Sequence, residues 1–140
     1  MIQKIDHIGI AVKDLKKAAR FYREVLGLSF EGYEDLPDRG IRIAVFDTNG
    51  VRLELIQSLS PDSAMAKFIE RRGEGLHHLA LGVDNVAETL GRLVQDGVRV
   101  IDSKPRKGAG GSRVAFLDPR DTGHVLIEIC EKGEADPQRK

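Results

Sequence analysis

The chain contains an internal duplication, and this feature restricts its fold more than any other. The segment DHIGIAVKDLKKAARFYREVLGL (6–28) aligns with HHLALGVDNVAETLGRLVQDGV (77–98), and the alignment places His7 over His78. A glycine closes each segment at nearly the same distance from the histidine. A sequence that repeats in this way predicts two similar structural modules rather than one undivided fold.

The duplication extends to the second part of each copy. The segment RIAVFDTNGVRLELI (42–56) resembles RVAFLDPRDTGHVLIEI (113–129), and Glu54 matches Glu128 in the final strand. The second copy carries a longer connection after its aspartate. Each copy therefore has a histidine near its start and a glutamate near its end.

Side-chain periodicity predicts the same order of elements in both copies. In each opening strand, aliphatic residues alternate with a histidine and small residues, so one face is suited to packing against a helix. Asp14 and Asn85 are suitable N-caps for the helices that follow. Asp47–Gly50 has the composition of a hairpin turn. Each copy is therefore predicted to be a strand, a helix and then two or three strands.

The predicted organisation is a single domain made of two modules. The first module spans residues 1–58 and the second spans 75–131, with a linking helix in 59–74. In the link, Ser60–Pro61 has the composition of an N-cap followed by the first helical residue. Residues 132–140 are polar and without periodicity, so we predict a tail there.

Composition argues against several classes of protein. The 140 residues carry 22 basic and 22 acidic side chains, and this balance does not favour binding to nucleic acid or to an anionic membrane. No apolar run reaches the roughly 20 residues that a membrane-spanning helix needs. The chain starts directly with a strand-like pattern, which leaves no room for a signal peptide, so we expect a cytoplasmic protein. Cys130, the only cysteine, excludes an internal disulfide and a cysteine-based zinc cluster.

The repeated positions form a candidate metal site. His7, Glu54, His78 and Glu128 supply two imidazole and two carboxylate groups, which suit Zn, Co, Ni, Mn or Fe(II). Four protein ligands on a six-coordinate ion leave two positions for a bidentate oxygen ligand. A structural role is the alternative for any one of these residues, but the recurrence of the same pair favours the metal.

Three other reactive side chains have simpler interpretations. His77 falls on the opposite strand face from His78 and is interpreted as a packing or surface residue. His124 lies in a turn and has no repeat partner, so we expect it at the surface. Cys130 shares a strand face with Glu128 and is interpreted as a small core residue or a surface thiol.

A basic, glycine-rich loop precedes the strand that begins at residue 113. Lys104, Arg106, Gly110 and Gly111 are its candidate binding residues, because such a loop can accept a carboxylate or the phosphates of a cofactor tail. The loop lacks the spacing of a phosphate-binding P-loop. An ordinary solvated turn is therefore the alternative.

These sequences resemble the vicinal oxygen chelate superfamily and, within it, the methylmalonyl-CoA epimerase family. The resemblance extends from Ile5 to Ile129. The string DHIGIAV is general to the superfamily, whereas PDS…AKFI…RGEGLHH and KP…GAGG are more specific to the epimerases. The resemblance implies an α+β fold in which two paired βαβββ modules form a curved mixed sheet around a metal cavity.

The resemblance also implies the chemistry. A divalent metal, most often Co²⁺ with Mn²⁺, Ni²⁺ or Zn²⁺ as alternatives, would be held at the positions of His7, Glu54, His78 and Glu128. The reaction would be a 1,1-proton transfer at the carbon between a thioester and a carboxylate, which interconverts (R)- and (S)-methylmalonyl-CoA in propionate metabolism. An acyl-CoA substrate and a homodimer are further implications.

Two glutamates are the candidate acid–base residues. In the family, the position matching Glu128 serves as a base as well as a ligand. Some members carry a second glutamate where this chain has Ile43, which cannot transfer protons. We therefore assign the second base to Glu54, the repeat-mate of Glu128.

Other functions remain alternatives within the same fold. A glyoxalase I-like isomerase is one, and a ring-cleaving dioxygenase is another. A dioxygenase normally uses two histidines and one carboxylate with Fe(II), so the fourth ligand, Glu54, counts against it. A metal-free small-molecule-binding protein of the resistance type would lack the metal ligands, whereas this chain has all four.

Overall fold

A computed structural model describes residues 1–133, and its elements occur in two successive sets. The first set comprises β1 (Ile2–Ala11), α1 (Leu15–Arg20), β2 (Ser29–Leu36), β3 (Ile41–Thr48) and β4 (Val51–Ser58). α2 (Ala64–Arg72) follows. The second set comprises β5 (Gly75–Val83), α3 (Val86–Gln95), β6 (Arg106–Lys107), β7 (Arg113–Phe116) and β8 (Ile127–Glu131). Each set is a βαβββ module, so the predicted α+β fold class is confirmed.

By its contacts the chain divides into two compact units. The first unit is His7–His77, and the second is Met1–Asp6 together with the chain from His78 onward. The division falls inside β1, between its first five residues and the rest.

The first unit is a mixed sheet with one helix-covered face. Its strand order is β2-β3-β4-β1; β1 and β4 are parallel, whereas β4–β3 and β3–β2 are antiparallel. Leu15 and Ala19 of α1 pack against Ala44, Phe46 and Leu55 of the strands. Because successive strand residues point to opposite faces, the side chains between these core residues lie on the other face. We call that second face the ligand face.

The second unit repeats this arrangement. Its strand order is β5-β8-β7-β6; β5 and β8 are parallel, and the other two pairs are antiparallel. Val86 and Leu90 of α3 pack against Ala115, Leu117 and Ile129. The opposite face, which is the ligand face of this unit, carries the small buried cluster of Ala80, Val114 and Cys130.

The capping and turn signals operate as predicted. The Asp14 carboxylate accepts a hydrogen bond from the Lys17 backbone N–H. The Asn85 side chain accepts from the Glu88 N–H in the same way. The β3–β4 hairpin turns at Asn49, which has a φ of 56°.

The predicted start of the linking helix is wrong. Ser63, not Ser60, is the N-cap, and its hydroxyl accepts a hydrogen bond from the Ala66 N–H. The reason is a local network: the Ser58 hydroxyl bonds to the Ser60 carbonyl and to the Ser63 hydroxyl, which holds the intervening residues in a turn. The helix therefore begins after that turn and ends at Arg72, within the predicted segment 59–74.

Two further details were not resolved by periodicity. α1 does not continue as a regular helix, because Phe21–Val25 forms a π-helical turn. The alternation of residues also predicts a final strand over Val125–Ile129, but this strand begins at Ile127. Residues 134–140 of the predicted tail lie outside the described residues. Within residues 1–133, no helix is long and apolar enough to cross a membrane.

Candidate metal centre

His7 and Glu54 lie side by side on the ligand face of the first unit. In the parallel ladder, Glu54 pairs with Gly9, which shares a face with His7. The Nδ1 atom of His7 lies 3.7 Å from Oε2 of Glu54, and each side chain is only 5% exposed. Two atoms that each lie about 2.1 Å from one ion are separated by at most about 4.2 Å, so this pair can share a metal.

His78 and Glu128 form the equivalent pair in the second unit. Glu128 pairs with Ala80 of β5, two residues beyond His78 on the same face. The Nε2 atom of His78 lies 3.8 Å from Oε2 of Glu128, and the side chains are 5% and 3% exposed. Each copy of the duplication thus buries one imidazole beside one carboxylate at nearly the same separation.

The chemistry of these donors suits a divalent transition-metal ion. His78 and Glu128 are buried groups of the second unit that could act as metal ligands. A buried carboxylate is costly unless a cation or hydrogen-bond donor compensates its charge. Imidazole nitrogen and carboxylate oxygen are ligands that Zn²⁺, Co²⁺, Ni²⁺, Mn²⁺ and Fe²⁺ accept, and they do not select sharply among them.

Arg52 is a ligand-face residue that sequence reasoning missed. It pairs with His7 in the β1–β4 ladder, and its Nε lies 3.8 Å from Oε2 of Glu54. Its side chain is only 10% exposed. The available signal was strand parity, because an arginine two residues before a buried glutamate shares the face of that glutamate. The matching position in the second copy holds Leu126, so the positive charge belongs to one copy only.

In the second unit an aromatic ring lies beside the ligand pair. Phe116 pairs with Glu128, and its ring meets the His78 imidazole edge-on at a centroid distance of 5.6 Å. The Arg106 guanidinium lies over the Phe116 ring, 5.9 Å from its centroid. An ion pair of 3.2 Å from Arg106 Nε to the Asp102 carboxylate also holds this arginine. The Phe116 ring thus contacts both the Arg106 guanidinium and the His78 imidazole.

The rest of the basic loop folds tightly. A Cβ atom on Gly108 would lie 2.6 Å from Oγ of Ser112 and 2.7 Å from a methyl carbon of Val114, so glycine is required there. Gly110 and Gly111 have φ values of 64° and 74°, which glycine adopts without strain. Lys104 is exposed.

His77 is a packing residue, as predicted. Its ring lies 4.7 Å from the Phe68 ring in an edge-on contact. Burial lowers the pKa of His77 to about 4, and the charges of Arg39 and Arg72 act in the same direction. The imidazole is therefore neutral near pH 7.

The predictions for the other two reactive side chains, His124 and Cys130, are also confirmed. His124 is exposed in a turn, with a φ of 67°. Cys130 is buried against Ala80 and Val114, which makes it a small core residue.

One family model and several known proteins match the chain. Residues 6–116 match the glyoxalase/bleomycin resistance protein/dioxygenase superfamily. The uncharacterized protein YqjC of Bacillus subtilis is 43% identical over 134 residues, which cover 95% of this chain and 96% of that protein. The ethylmalonyl-CoA/methylmalonyl-CoA epimerase of Cereibacter sphaeroides is 35% identical over 131 residues, which cover 92% of this chain and 98% of that enzyme.

A solved structure matches at the level of the fold. A variant of the Streptomyces coelicolor methylmalonyl-CoA epimerase, in complex with 2-nitronate-propionyl-CoA, superposes with a TM-score of 0.90 at 36% identity. The match covers 96% of this chain and 97% of that one.

Proposed function

The chain belongs to the glyoxalase/bleomycin resistance protein/dioxygenase superfamily, and we propose that it is a metal-dependent epimerase that interconverts (R)- and (S)-methylmalonyl-CoA. Two similar proteins, matched over nearly their whole lengths, are named for this substrate. The observation that carries the proposal is the buried histidine–glutamate pair present in each unit. In this proposal His7, Glu54, His78 and Glu128 hold one divalent ion.

The reaction requires removal of a proton from a weak carbon acid. The C2 hydrogen of methylmalonyl-CoA lies between a thioester and a carboxylate, and its loss places negative charge on the thioester oxygen. A bound divalent metal supplies Lewis-acid stabilisation of that developing charge. The near-complete burial of the four ligand side chains keeps bulk water from the groups involved.

Glu128 and Glu54 are proposed as the two acid–base groups. One carboxylate removes the C2 proton while the electron pair of the C–H bond moves into the enolate. The other, as a carboxylic acid, returns a proton to the opposite face and so inverts C2. Their matching positions in the two copies support this division of labour. Ile43, on the β3 strand beside β4, is 1% exposed and contributes only apolar surface.

The basic loop is proposed to contact the acyl-CoA substrate. Arg106 supports this most directly, because it lies over Phe116, which in turn contacts His78. Lys104, Gly110 and Gly111 belong to the same loop. Phosphates and carbonyl groups of a CoA ester are ligands that a guanidinium and exposed backbone N–H groups can bind.

The remaining parts of the proposal depend on the resemblance to the family. We propose Co²⁺ as the native metal, with Mn²⁺, Ni²⁺ or Zn²⁺ as alternatives that the donor set accepts equally well. A homodimer, a cytoplasmic location and a role in propionate metabolism complete the proposal.

Metal analysis followed by an isotope-exchange assay tests the function. We expect purified protein to contain a divalent metal, and the loaded protein to exchange the C2 hydrogen of methylmalonyl-CoA with solvent deuterium. No exchange by metal-loaded protein would overturn the proposal. Activity on a glutathione hemithioacetal instead would indicate a glyoxalase I-like enzyme. A protein that neither contains metal nor gains thermal stability from it would be a metal-free binding protein.

A further inference from the structure

Asp102 bridges the basic loop and strand β7 through its carboxylate, in the second unit. One oxygen accepts a hydrogen bond of 2.8 Å from the Phe116 backbone N–H. The other oxygen lies 3.2 Å from Nε of Arg106, and the Asp102 side chain is only 13% exposed. One carboxylate thus holds two residues that also contact each other, because the Arg106 guanidinium lies over the Phe116 ring.

The backbone at Asp102 is attached to the same residue of β7. The N–H groups of Ile101 and Asp102 both donate to the Phe116 carbonyl, at 2.9 Å and 3.3 Å. Arg106, by contrast, lies in the two-residue edge strand β6, and its side chain is 47% exposed. An arginine at such a position has many rotamers to lose when it is held in one. Asp102 therefore restrains the Arg106 side chain from a fixed point on the strand.

The ion pair with Asp102 engages only one part of the Arg106 guanidinium. A guanidinium has five N–H donors in a planar fork, and the pair is made through Nε. Within residues 1–133, the other contacts of Arg106 are its β6–β7 pairing with Val114 and its position over the Phe116 ring. A phosphate or a carbonyl oxygen can therefore bind at the Nη groups without displacing Asp102.

This arrangement of ring and guanidinium occurs in one copy of the duplication only. Phe116 lies opposite Glu128 in the β7–β8 ladder. Val45 occupies the matching position of the first unit, opposite Glu54, and has no ring over which a guanidinium could lie. A feature shared by both copies suits the symmetric task of holding a metal. A feature found in one copy suits contact with a substrate that binds once.

We propose that Asp102 is a positioning residue, which holds the Arg106 guanidinium over Phe116 in the orientation that the acyl-CoA requires before that ligand binds. This inference rests on the proposed function, because the contact between Arg106 and an acyl-CoA is part of it. Restraining the arginine in advance removes part of the entropy cost of binding. Asp102 acts through Arg106 and takes no part in proton transfer.

The charge of Asp102 and its restraint of Arg106 affect binding in opposite directions. A carboxylate repels the phosphates of CoA, so its removal strengthens binding if its charge alone matters. If the restraint dominates, its removal weakens binding by about 3- to 10-fold, which corresponds to the cost of immobilising one flexible side chain. Salt at about 0.15 M screens the repulsion between exposed charges, so the restraint should dominate there.

Calorimetric binding of propionyl-CoA to metal-loaded protein at about 0.15 M salt tests the proposal. Asp102→Asn is the informative variant, because its amide oxygen can still accept from the Phe116 N–H while the charge that holds Arg106 is lost. We expect this variant to bind propionyl-CoA about 3- to 10-fold more weakly than the natural protein. Asp102→Ala should bind as weakly and also unfold at a lower urea concentration, because the Phe116 N–H then loses its acceptor.

The same substitution in an Arg106→Gln protein shows whether Asp102 acts through Arg106. Once the guanidinium is absent, Asp102→Asn should weaken binding no further. A residue that only stabilised the loop would weaken binding in both backgrounds. Asp121→Asn is the matched control, because it removes the same charge from an ion pair with Arg99 elsewhere in the second unit. This control should bind propionyl-CoA like the natural protein.

Three results would overturn the inference. They are equal or tighter binding by Asp102→Asn, an equal loss in both backgrounds, and natural affinity in Arg106→Lys, which keeps the charge without the planar fork. The last variant decides the question if Asp102→Asn does not fold. Failure of the proposed function is distinguishable, because it shows as absent deuterium exchange from methylmalonyl-CoA in a natural protein that still binds propionyl-CoA.

Discussion

His77 and His78 are consecutive residues of β5 whose imidazoles lie on opposite faces of the strand. The His77 ring packs edge-on against Phe68, whereas Nε2 of His78 lies 3.8 Å from Oε2 of Glu128. The two residues are identical in chemistry and adjacent in sequence, yet only one belongs to a pair of candidate metal ligands. Replacing each of the two histidines by glutamine therefore gives a matched pair of variants.

We expect His78→Gln to weaken metal binding by more than about 100-fold. Losing an outer-shell partner of a metal ligand costs up to about 100-fold, and losing a direct ligand should cost more. His77→Gln should keep the metal affinity and lose only about 1 kcal/mol of stability through its lost contact with Phe68. Chelator competition gives the affinities, and urea unfolding of the metal-free proteins gives the stabilities. Equal metal affinity in the two variants would contradict the assignment of His78.

Replacing each candidate base should affect one epimer more than the other. With Glu54→Gln or Glu128→Gln, the amide oxygen can still bind a metal but cannot accept the C2 proton. Each variant should lose about 10²- to 10⁴-fold in deuterium exchange from one epimer, the usual contribution of a general base. Exchange from the other epimer should continue without inversion. The variants should have opposite preferences.

The measurement requires enantiopure (R)- and (S)-methylmalonyl-CoA and protein with confirmed metal content. Mass spectrometry follows deuterium at C2, and the metal analysis separates a lost base from a lost ligand. If both epimers continue to exchange at the natural rate in Glu54→Gln, then Glu54 is not a base and another group returns the proton.

Adding a methyl group at two glycines of the second unit should change the stability of the protein in opposite directions. On Gly108 the added Cβ would lie 2.6 Å from Ser112 Oγ, which forces the loop to shift. We expect Gly108→Ala to cost about 1–3 kcal/mol, typical of overpacking. Gly91 lies within α3, and a Cβ there meets nothing within 4 Å. Gly91→Ala should therefore stabilise the protein by about 0.5–1 kcal/mol.

Urea unfolding of the two alanine variants checks both signs. The Gly108→Ala protein should also bind acyl-CoA more weakly if the basic loop contacts that ligand. A stable Gly108→Ala protein with unchanged unfolding would mean that the loop accommodates the methyl group without cost.

Much of the candidate site was accessible from the sequence because the duplication and strand parity act together. The repeat identified His7, Glu54, His78 and Glu128 as equivalent positions, and parity placed each histidine on the face of its glutamate. The N-caps Asp14 and Asn85 were predictable for a similar reason, since a cap depends on the residues immediately after it.

The features that the sequence did not predict depend on contacts that leave no pattern in the neighbouring residues. The start of α2 is set by hydroxyl–hydroxyl bonding between Ser58 and Ser63, so the Ser60–Pro61 signal was overridden. The burial of Arg52 depends on its neighbours in β1 and β3. Charged residues in strands more often face solvent, and parity with Glu54 was the only indication that this one does not.

Acid should weaken the fold through an exposed ion pair in the second unit. Arg99 donates hydrogen bonds to both oxygens of Asp121 from its guanidinium and a third from its backbone N–H. These hydrogen bonds lower the pKa of Asp121 to about 2. The bond from the Arg99 side chain contributes most, and the bond from its backbone N–H contributes next. A carboxylate whose pKa is lower in the folded state stabilises the fold above its unfolded pKa. That contribution is lost as the pH falls from the ordinary value of 3.8 to about 2.

Asp121→Asn removes this titration while its amide oxygen can still accept a hydrogen bond. The natural protein should therefore be more stable than the variant near pH 6, and the difference between their free energies of unfolding should shrink between pH 4 and pH 2. Because both proteins share every other acidic group, the difference isolates Asp121. Urea unfolding across this range, repeated in high salt, provides the measurement.

Salt should reduce the difference near pH 6, since the pair is exposed and readily screened. A difference that is constant with pH would mean that Asp121 is not held by Arg99 in solution.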